Sequence, residues 1–502
     1  MSIEPDFKAF EKKYADDKPQ VTISRIVNDL ETPVSAYLKL AVRRKNAFLL
    51  ESVEGGEQLA RYSVIGMKPD TIWRIQNGVA ETNRNAASDI NSFTAEPGPP
   101  LDSLKRLLAE SRIEMPKSAP PMAAGVFGYF GYDLVRQVEH LPAKQQNAVD
   151  IPEAIFIRPT IIAVFDNIKQ EIILIAPVRP ENGVSARAAY SRAAERIAEA
   201  VTDLSTPVAH AAPFNENTHP STITPKSNIA EKDFLAMVDR AKQEIFAGEI
   251  FQVVLAQRFE TAFDAPPFEL YRALRRTNPS PFLFYLDFQS HALVGSSPEI
   301  LVRVRDGEVT IRPIAGTRWR GKTTAEDLAL EAELLSDPKE RAEHLMLLDL
   351  GRNDVGRAST YGSVEVTEQF TVERYSHVMH IVSNVTGKLA QGVDPVDAVL
   401  AGFPAGTVTG APKVRAMEVI DELETDSRNA YGGCIGYFSA DGNVDTCIAL
   451  RTAVVQNGKM HVQAGAGIVA DSDPQSEHNE CVNKAKALFA AAQVALKSDR
   501  KN

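Results

Sequence analysis

Asn77-Gly78, Asp166-Asn167, Asp306-Gly307, Asp441-Gly442 and Asn457-Gly458 each stand between two apolar runs rich in β-branched residues, such as TIWRI and VAET around the first. No other feature constrains the fold as much. These dipeptides accept the tight backbone of a hairpin turn. A hairpin joins antiparallel neighbours, whereas parallel strands need a crossover of a dozen or more residues. Helical periodicity lies between the strands, over Glu231 to Ala247, Glu326 to Leu335, Lys339 to Leu350, Asp394 to Ala401, Lys413 to Leu423 and Gln475 to Leu496. The fold class expected is α+β, with large, mostly antiparallel sheets packed as a sandwich and helices outside, and a parallel dinucleotide-binding fold is disfavoured.

Residues 203–228, DLSTPVAHAAPFNENTHPSTITPKSN, are rich in Pro, Ser, Thr and Asn and carry neither period. They read as a linker between an N-terminal region, 1–202, and a C-terminal region, 229–502. The 502 residues carry 66 Asp and Glu against 55 Lys and Arg, a net charge of −11, with no basic patch, so nucleic acid has little electrostatic reason to bind. Three cysteines, at 434, 447 and 481, form no CxxC pair, which argues against a disulfide framework or a thiolate zinc site and fits a reducing cytoplasm. The start MSIEPDFKAF lacks the apolar core of a secretory signal, and no stretch reaches the roughly 18 apolar residues of a membrane span.

Two helix starts share a design, Asp337-Pro338-Lys339-Glu340 and Asp473-Pro474-Gln475-Ser476, with Asp placed to cap and Pro at the first helical position. Glu340 and Glu343, like Glu477 and Glu480, are three apart and share a helix face, where like charges repel. One Glu from each of two facing helices, completed by water or substrate oxygens, suits Mg²⁺; a solvated acidic first turn is the plainer reading. The run Gly402 to Lys413 places three glycines and two threonines ahead of a helix, as an anion-binding loop or as a simple cap. Gly465-Ala466-Gly467 formally resembles a dinucleotide fingerprint, but the antiparallel setting rules that out and leaves backbone amides facing a small anion. Arg451 is the only charge between Cys447 and Val455, a structural ion pair or a carboxylate receptor. His380, in an apolar stretch, is a core histidine or a proton acceptor.

Together the runs PIAGTR (313–318), DPKERAEH (337–344), DLGRNDVGR (349–357), FPAGTVTGAPK (403–413) and GAGIVADSDPQSEHNECVNK (465–484) resemble the chorismate-utilising enzymes, and among them the component I family of anthranilate synthases. The resemblance implies that Glu343 and Glu480 hold Mg²⁺ against the ring carboxylate of chorismate, with Glu340 and Glu477 in support. It implies that Tyr431 and Arg451 hold the enolpyruvyl carboxylate with the 465–467 segment (Gly465, Ala466, Gly467), and that Gly316, Thr317 and Thr407 line the ring. Glu299 would be the acid for the departing C4 hydroxyl, and His380 the base for the C2 proton. Ammonia would be the nucleophile, supplied by a separate glutamine amidotransferase subunit in a hetero-oligomer.

Within the family, water-using members resemble this chain but carry Lys where Gln252 stands, and the aminodeoxychorismate branch has Lys in place of Ala315. Both departures point toward anthranilate; an aminodeoxychorismate synthase and a catalytically silent tryptophan-binding relative are the alternatives. The segment Leu49-Leu50-Glu51-Ser52, with Ser63, resembles the binding segment for L-tryptophan as feedback inhibitor. Pro281, Phe282 and Leu283 resemble its second wall, with Phe282 and Leu283 expected on the indole.

Overall fold

The computed structural model describes residues 2–54, 58–142, 147, 149–208, 223–375 and 378–499. The middle of the expected linker, 209–222, lies outside them. Its described ends are the close of helix Ala186–Leu204 and the short strand Lys226–Ser227.

Three of the five turn dipeptides make the tight hairpins their chemistry predicts. Asn77 and Gly78 (φ 53° and 77°), Asp306 and Gly307 (51° and 79°), and Asn457 and Gly458 (51° and 73°) are left-handed at both central positions. The other two work differently. Asp166 ends a strand, and its Oδ1 accepts from the amides of Ile168 and Lys169 at 3.2 and 3.1 Å, organising a longer loop. Asp441 accepts from the Asn443 amide at 3.0 Å inside another. Both use the Asp side chain as a local acceptor, and the positive φ falls on a single residue, Gln170 (53°) in the first and Gly442 (98°) in the second.

Every described strand pairing is antiparallel. The twenty-two strands form one hydrogen-bonded network that doubles over into two layers. One layer runs through Gln20–Val27, Glu171–Val178, Ala47–Glu54, Phe282–Asp287, Ala292–Ser297, Thr452–Gln456, Lys459–Ile468 and Gln252–Ala262. The other runs through Gly125–Phe130, Cys434–Ser439, Val444–Ile448, Ile300–Arg305, Glu308–Ile311 and Val378–Lys388. The long strands Gln58–Gln76 and Ala154–Asp166 belong to both, bending through a register shift between Pro69 and Thr71.

Alternating residues of both layers meet in a shared core that includes Phe48, Val64, Phe127, Ile162, Phe284, Leu293 and Tyr437. Phe48 and Phe127 stack across it at 4.4 Å between ring centroids. Each such buried ring contributes roughly 2–3 kcal/mol of transfer free energy. Helices Pro33–Leu40, Ala186–Leu204, Pro267–Thr277 and Pro474–Asp499 pack on the outer face of the first layer, and Pro100–Glu110 and Pro395–Gly402 on that of the second. The sandwich therefore crosses the sequence boundary, since Ala47–Glu54 pairs with Phe282–Asp287 and Gly125–Phe130 with Cys434–Ser439. The three cysteines are buried and free. Among the described residues no helix is long and apolar enough to cross a membrane.

Candidate active site

Two strand pairs change layers by breaking. Strand Ala292–Ser297 lies in the first layer and Ile300–Arg305 in the second, with Pro298 and Glu299 between them. The neighbouring run, which from sequence looks like one strand through Arg451, is two, Val444–Ile448 in the second layer and Thr452–Gln456 in the first. The backbone turns between them, and Arg451 takes φ 47°. That left-handed geometry costs a non-glycine residue of order 1 kcal/mol. The two breaks are tied together, Ile448 N donating to Glu299 O at 3.0 Å and Ser296 N to Arg451 O at 3.2 Å. Freed from the ladder, the side chains of Glu299 and Arg451 enter one cavity of about 460 Å³.

Both acidic helix starts face the same space. Asp337 caps helix Pro338–Ala358, accepting from the amides of Lys339 and Glu340 at 2.9 and 3.3 Å. Asp473 accepts from the Ser476 amide and hydroxyl at 2.9 and 2.8 Å. Glu340, Glu343, Glu477 and Glu480 all line the cavity. Their electrostatics divide them. Glu340 pairs with Arg318 at 2.9 Å and Glu480 with Lys484 at 2.7 Å. Among the described residues Glu343 and Glu477 have no ion-pair partner within 4 Å. Burial raises the pKa of Glu343, helped by the negative charge of Glu340 and Glu480 and opposed by a hydrogen bond from Gln252. Burial also raises that of Glu477, with a Ser472 hydrogen bond against it and Glu480 adding to it. No three described His, Cys, Asp or Glu side chains converge closely enough to hold a cation alone. The all-oxygen, mutually repelling set fits a hard divalent cation whose shell is completed by water or ligand oxygens.

Glu299 accepts from Thr407 Oγ1 at 2.8 Å, yet burial outweighs this bond and the fields of Lys484 and Arg451 and raises its pKa. A carboxyl whose pKa is raised is the better suited to giving up a proton. Arg451 has one protein contact from its guanidinium among the described residues, Ser280 Oγ at 3.4 Å, and no carboxylate within 4 Å. The ion pair that sequence allowed is not formed, and a bidentate donor faces the cavity uncompensated.

His380 lies on strand Val378–Lys388 opposite Thr317. Its Nδ1 is 3.0 Å from Gly316 O and 3.1 Å from Thr317 Oγ1. A carbonyl only accepts, so Nδ1 carries the proton and Nε2 keeps its lone pair. Burial lowers the His380 pKa and the Arg451 charge adds to this, so the ring stays neutral. Gly316 sits at a register shift with φ 74°, where a β-carbon would come within 3.1 Å of Glu340 Oε2. At Gly465 a β-carbon would stand 2.6 Å from the Tyr431 hydroxyl, which is how that ring reaches the cavity.

Gly316, Thr317, Thr407, Tyr431, Gly465 and Gly467 line the cavity as expected, but Ala466 does not. It packs with Val253, Leu255 and Ile468 on the opposite face, because alternate residues of strand Lys459–Ile468 point opposite ways. In the 402–413 run, the glycines serve close packing: a β-carbon on Gly406 would strike Leu350 at 1.9 Å and one on Gly410 the Gln252 carbonyl at 2.1 Å. Only Thr407 of that run reaches the cavity. Lys484 was missed; its Nζ donates to Gly465 O at 2.9 Å and faces Glu480, a role hidden in a Lys- and Ala-rich helix.

The second set of expected residues also comes together, on three adjacent strands, but divides between two faces. Glu51 lies opposite Ser63 and Leu283, and Ser52 opposite Phe282. Leu283 joins the outer core of the first layer while Phe282 packs at the core between layers, so the two cannot flank one ring. Glu51 is buried and accepts from Arg275 at 2.8 and 3.0 Å and from the Tyr271 hydroxyl. Ser52 Oγ donates to Pro281 O at 2.8 Å, and the buried Ser63 hydroxyl has no partner.

Residues 46–490 match the chorismate binding enzyme family. The chain is 54% identical to anthranilate synthase component 1 of Cereibacter sphaeroides over 97% of both chains. It is 46% identical to that of Pseudomonas aeruginosa, covering 94% of each. Among solved structures, anthranilate synthase component I from Streptococcus pneumoniae superposes with a TM-score of 0.75 at 37% identity, over 93% of this chain and 99% of that one. The menaquinone-specific isochorismate synthase of Escherichia coli shares the fold, with a TM-score of 0.69 at 19% identity and coverage of 97% and 98%. A cavity that sets a free guanidinium against opposed carboxylates thus sits in a chain that belongs to the chorismate-binding enzymes, in their anthranilate synthase component 1 branch.

Proposed function

We propose that this protein converts chorismate and ammonia to anthranilate and pyruvate, with ammonia released from glutamine by a separate glutaminase subunit. The observation that carries the reading is Arg451, a half-buried guanidinium without a carboxylate partner, facing Glu343 and Glu480 across one cavity. Arg451 and the Tyr431 hydroxyl fix the enolpyruvyl carboxylate. Glu343 and Glu480 would hold Mg²⁺, which when bound supplies positive charge to the ring carboxylate. Glu299 gives its proton to the C4 hydroxyl, which departs as water as ammonia bonds to C2, both ring double bonds shift by one position, and the added nitrogen sheds a proton that can restore Glu299. His380 Nε2 then takes the C2 proton, the C3–O bond breaks, and enolpyruvate leaves to become pyruvate as the ring turns aromatic. Ala315 and Gln252, both in the cavity wall, offer no lysine to capture the ring or activate water, which favours ammonia at C2.

Purified protein with chorismate, Mg²⁺ and ammonium should yield fluorescent anthranilate, and glutamine should substitute for ammonium only with a glutaminase subunit added. No product with ammonium overturns the reading. L-Tryptophan as inhibitor would sit on the Ser52, Pro281 and Phe282 face, with Glu51 supporting that strand from the opposite face through Arg275 and Tyr271. Ser52→Ala should weaken inhibition roughly tenfold through one lost hydrogen bond, with uninhibited activity near normal. Full inhibition in that variant removes Ser52 from the inhibitor site.

A further inference from the structure

We infer that Arg428, clamped by Glu424, is a positioning residue that sets the wall of the chorismate cavity by gripping two of its segments and the ring of Tyr431. The inference rests on the cavity being the chorismate site. Arg428 is 3% exposed and Glu424 5%. Arg428 Nε donates to Glu424 Oε2 at 2.9 Å, and Nη2 to Glu424 Oε1. Nη1 donates to Val408 O at 2.6 Å and Nη2 to Val254 O at 2.7 Å. Val408 follows Thr407 in the turn Gly406–Val408, and Val254 lies in the cavity wall. The guanidinium carbon stands 5.5 Å from the Tyr431 ring centre and 4.7 Å from that of Tyr132, and Tyr431 N donates to Arg428 O at 3.0 Å. Glu424 Oε1 also accepts from Ala256 N at 2.9 Å, two residues along the strand from Val254.

A buried ion pair is a poor source of stability, because apolar side chains of equal volume serve a core as well. What they cannot do is hold two carbonyls from separate elements in one plane. The planar five-donor fork of Arg does this; the three donors of Lys radiate from one point and cannot span the same acceptors. The segments so held carry Thr407, which orients Glu299, together with Val254 and Tyr431. Arg428 touches no reacting atom and acts through these three.

The test is ammonia-dependent turnover by the full chain with Mg²⁺. Arg428→Lys should raise KM for chorismate about tenfold while KM for ammonium stays within about twofold. Tyr431→Phe should raise the chorismate KM by a similar factor, and the double variant by less than the product of the two, because Arg428 acts in part through the Tyr431 ring. A purely structural pair predicts a smaller active fraction with both KM values unchanged, and that result overturns the inference. Multiplying effects in the double variant overturn it too. Should Arg428→Lys not fold, Glu424→Gln keeps the Arg and an acceptor for Ala256 N, and should raise the chorismate KM about threefold; an unchanged KM, or failure of both variants to fold, overturns the inference. Wild-type protein that makes no anthranilate breaks the functional reading instead.

Discussion

The chain passes between its two layers in two ways. At Pro69–Thr71 and Pro159–Thr160 the long strands bend without breaking, and the polar groups at the bend satisfy one another: Arg158 Nε meets Asp70 at 2.7 Å and Thr160 Oγ1 donates to Lys68 O at 2.6 Å. At Glu299 and Arg451 the strands break, the ladder lapses for two or three residues, and among the described residues these two side chains have hydroxyl contacts but no ion-pair partner within 4 Å. A bend conserves pairing and yields structure. A break gives up pairing and aims a guanidinium and a buried carboxyl at one cavity, with His380 and two acidic helix starts around them. A guanidinium and a buried carboxyl that lack ion-pair partners at one seam support reading that seam as a ligand site.

Substitutions at the two crossings separate these roles. Arg451→Gln removes the uncompensated guanidinium and should lower kcat/KM for chorismate by about 3–4 kcal/mol, roughly 10²–10³-fold, with little movement in thermal unfolding. A fall in melting temperature with unchanged kcat/KM would place Arg451 with the satisfied crossing instead. His380→Met should slow pyruvate elimination roughly 100-fold, the scale of one general base, and let an aminated intermediate accumulate that chromatography resolves. Normal product formation removes His380 from the chemistry.

Glu343 sharpens what the broken crossing faces. Its raised pKa means that the folded state keeps this proton to higher pH than the unfolded chain. The stability it contributes is present below the ordinary Glu value, about 4.3, and is lost as pH rises through the folded value. Mg²⁺ should reverse that loss at pH 8, by about 2–3 kcal/mol at roughly 100 times its Kd, and do little at pH 4. Glu343→Gln should flatten the pH dependence and remove the Mg²⁺ effect in the same thermal scans; an unchanged Mg²⁺ effect excludes Glu343 as a ligand. The smallest effect belongs to the satisfied crossing. Arg158→Met should cost about 1–2 kcal/mol in denaturant unfolding and leave KM for chorismate unchanged.

What sequence conveys and what it conceals follow the same division. Three of the five hairpin turns, the two Asp caps and the pairing of Glu340 with Glu343 and Glu477 with Glu480 are local, and these hold in the structure. The apolar run around Arg451 hides its break, because residues before and after it are buried alike and differ only in which layer they join. The Glu51 carboxylate could not be placed either, since its partner Arg275 lies 224 residues away. Alternation along a strand is legible, and its two-residue period alone separates Phe282 from Leu283 and turns Ala466 away from Gly465 and Gly467. Lys484 offered no signal, being one lysine among several on its helix.

The pairing of Gln58–Gln76 with Ala154–Asp166 has a consequence for how the gene can be divided. Because both layers share it, and because Ala47–Glu54 and Gly125–Phe130 each find a neighbour from beyond residue 280, neither half of the chain contains a closed sheet. Cut at 203–228, each fragment would expose edge strands that exist to be paired and would aggregate rather than fold. The catalytic half is thus inherited, expressed and unfolded together with the half that carries Ser52.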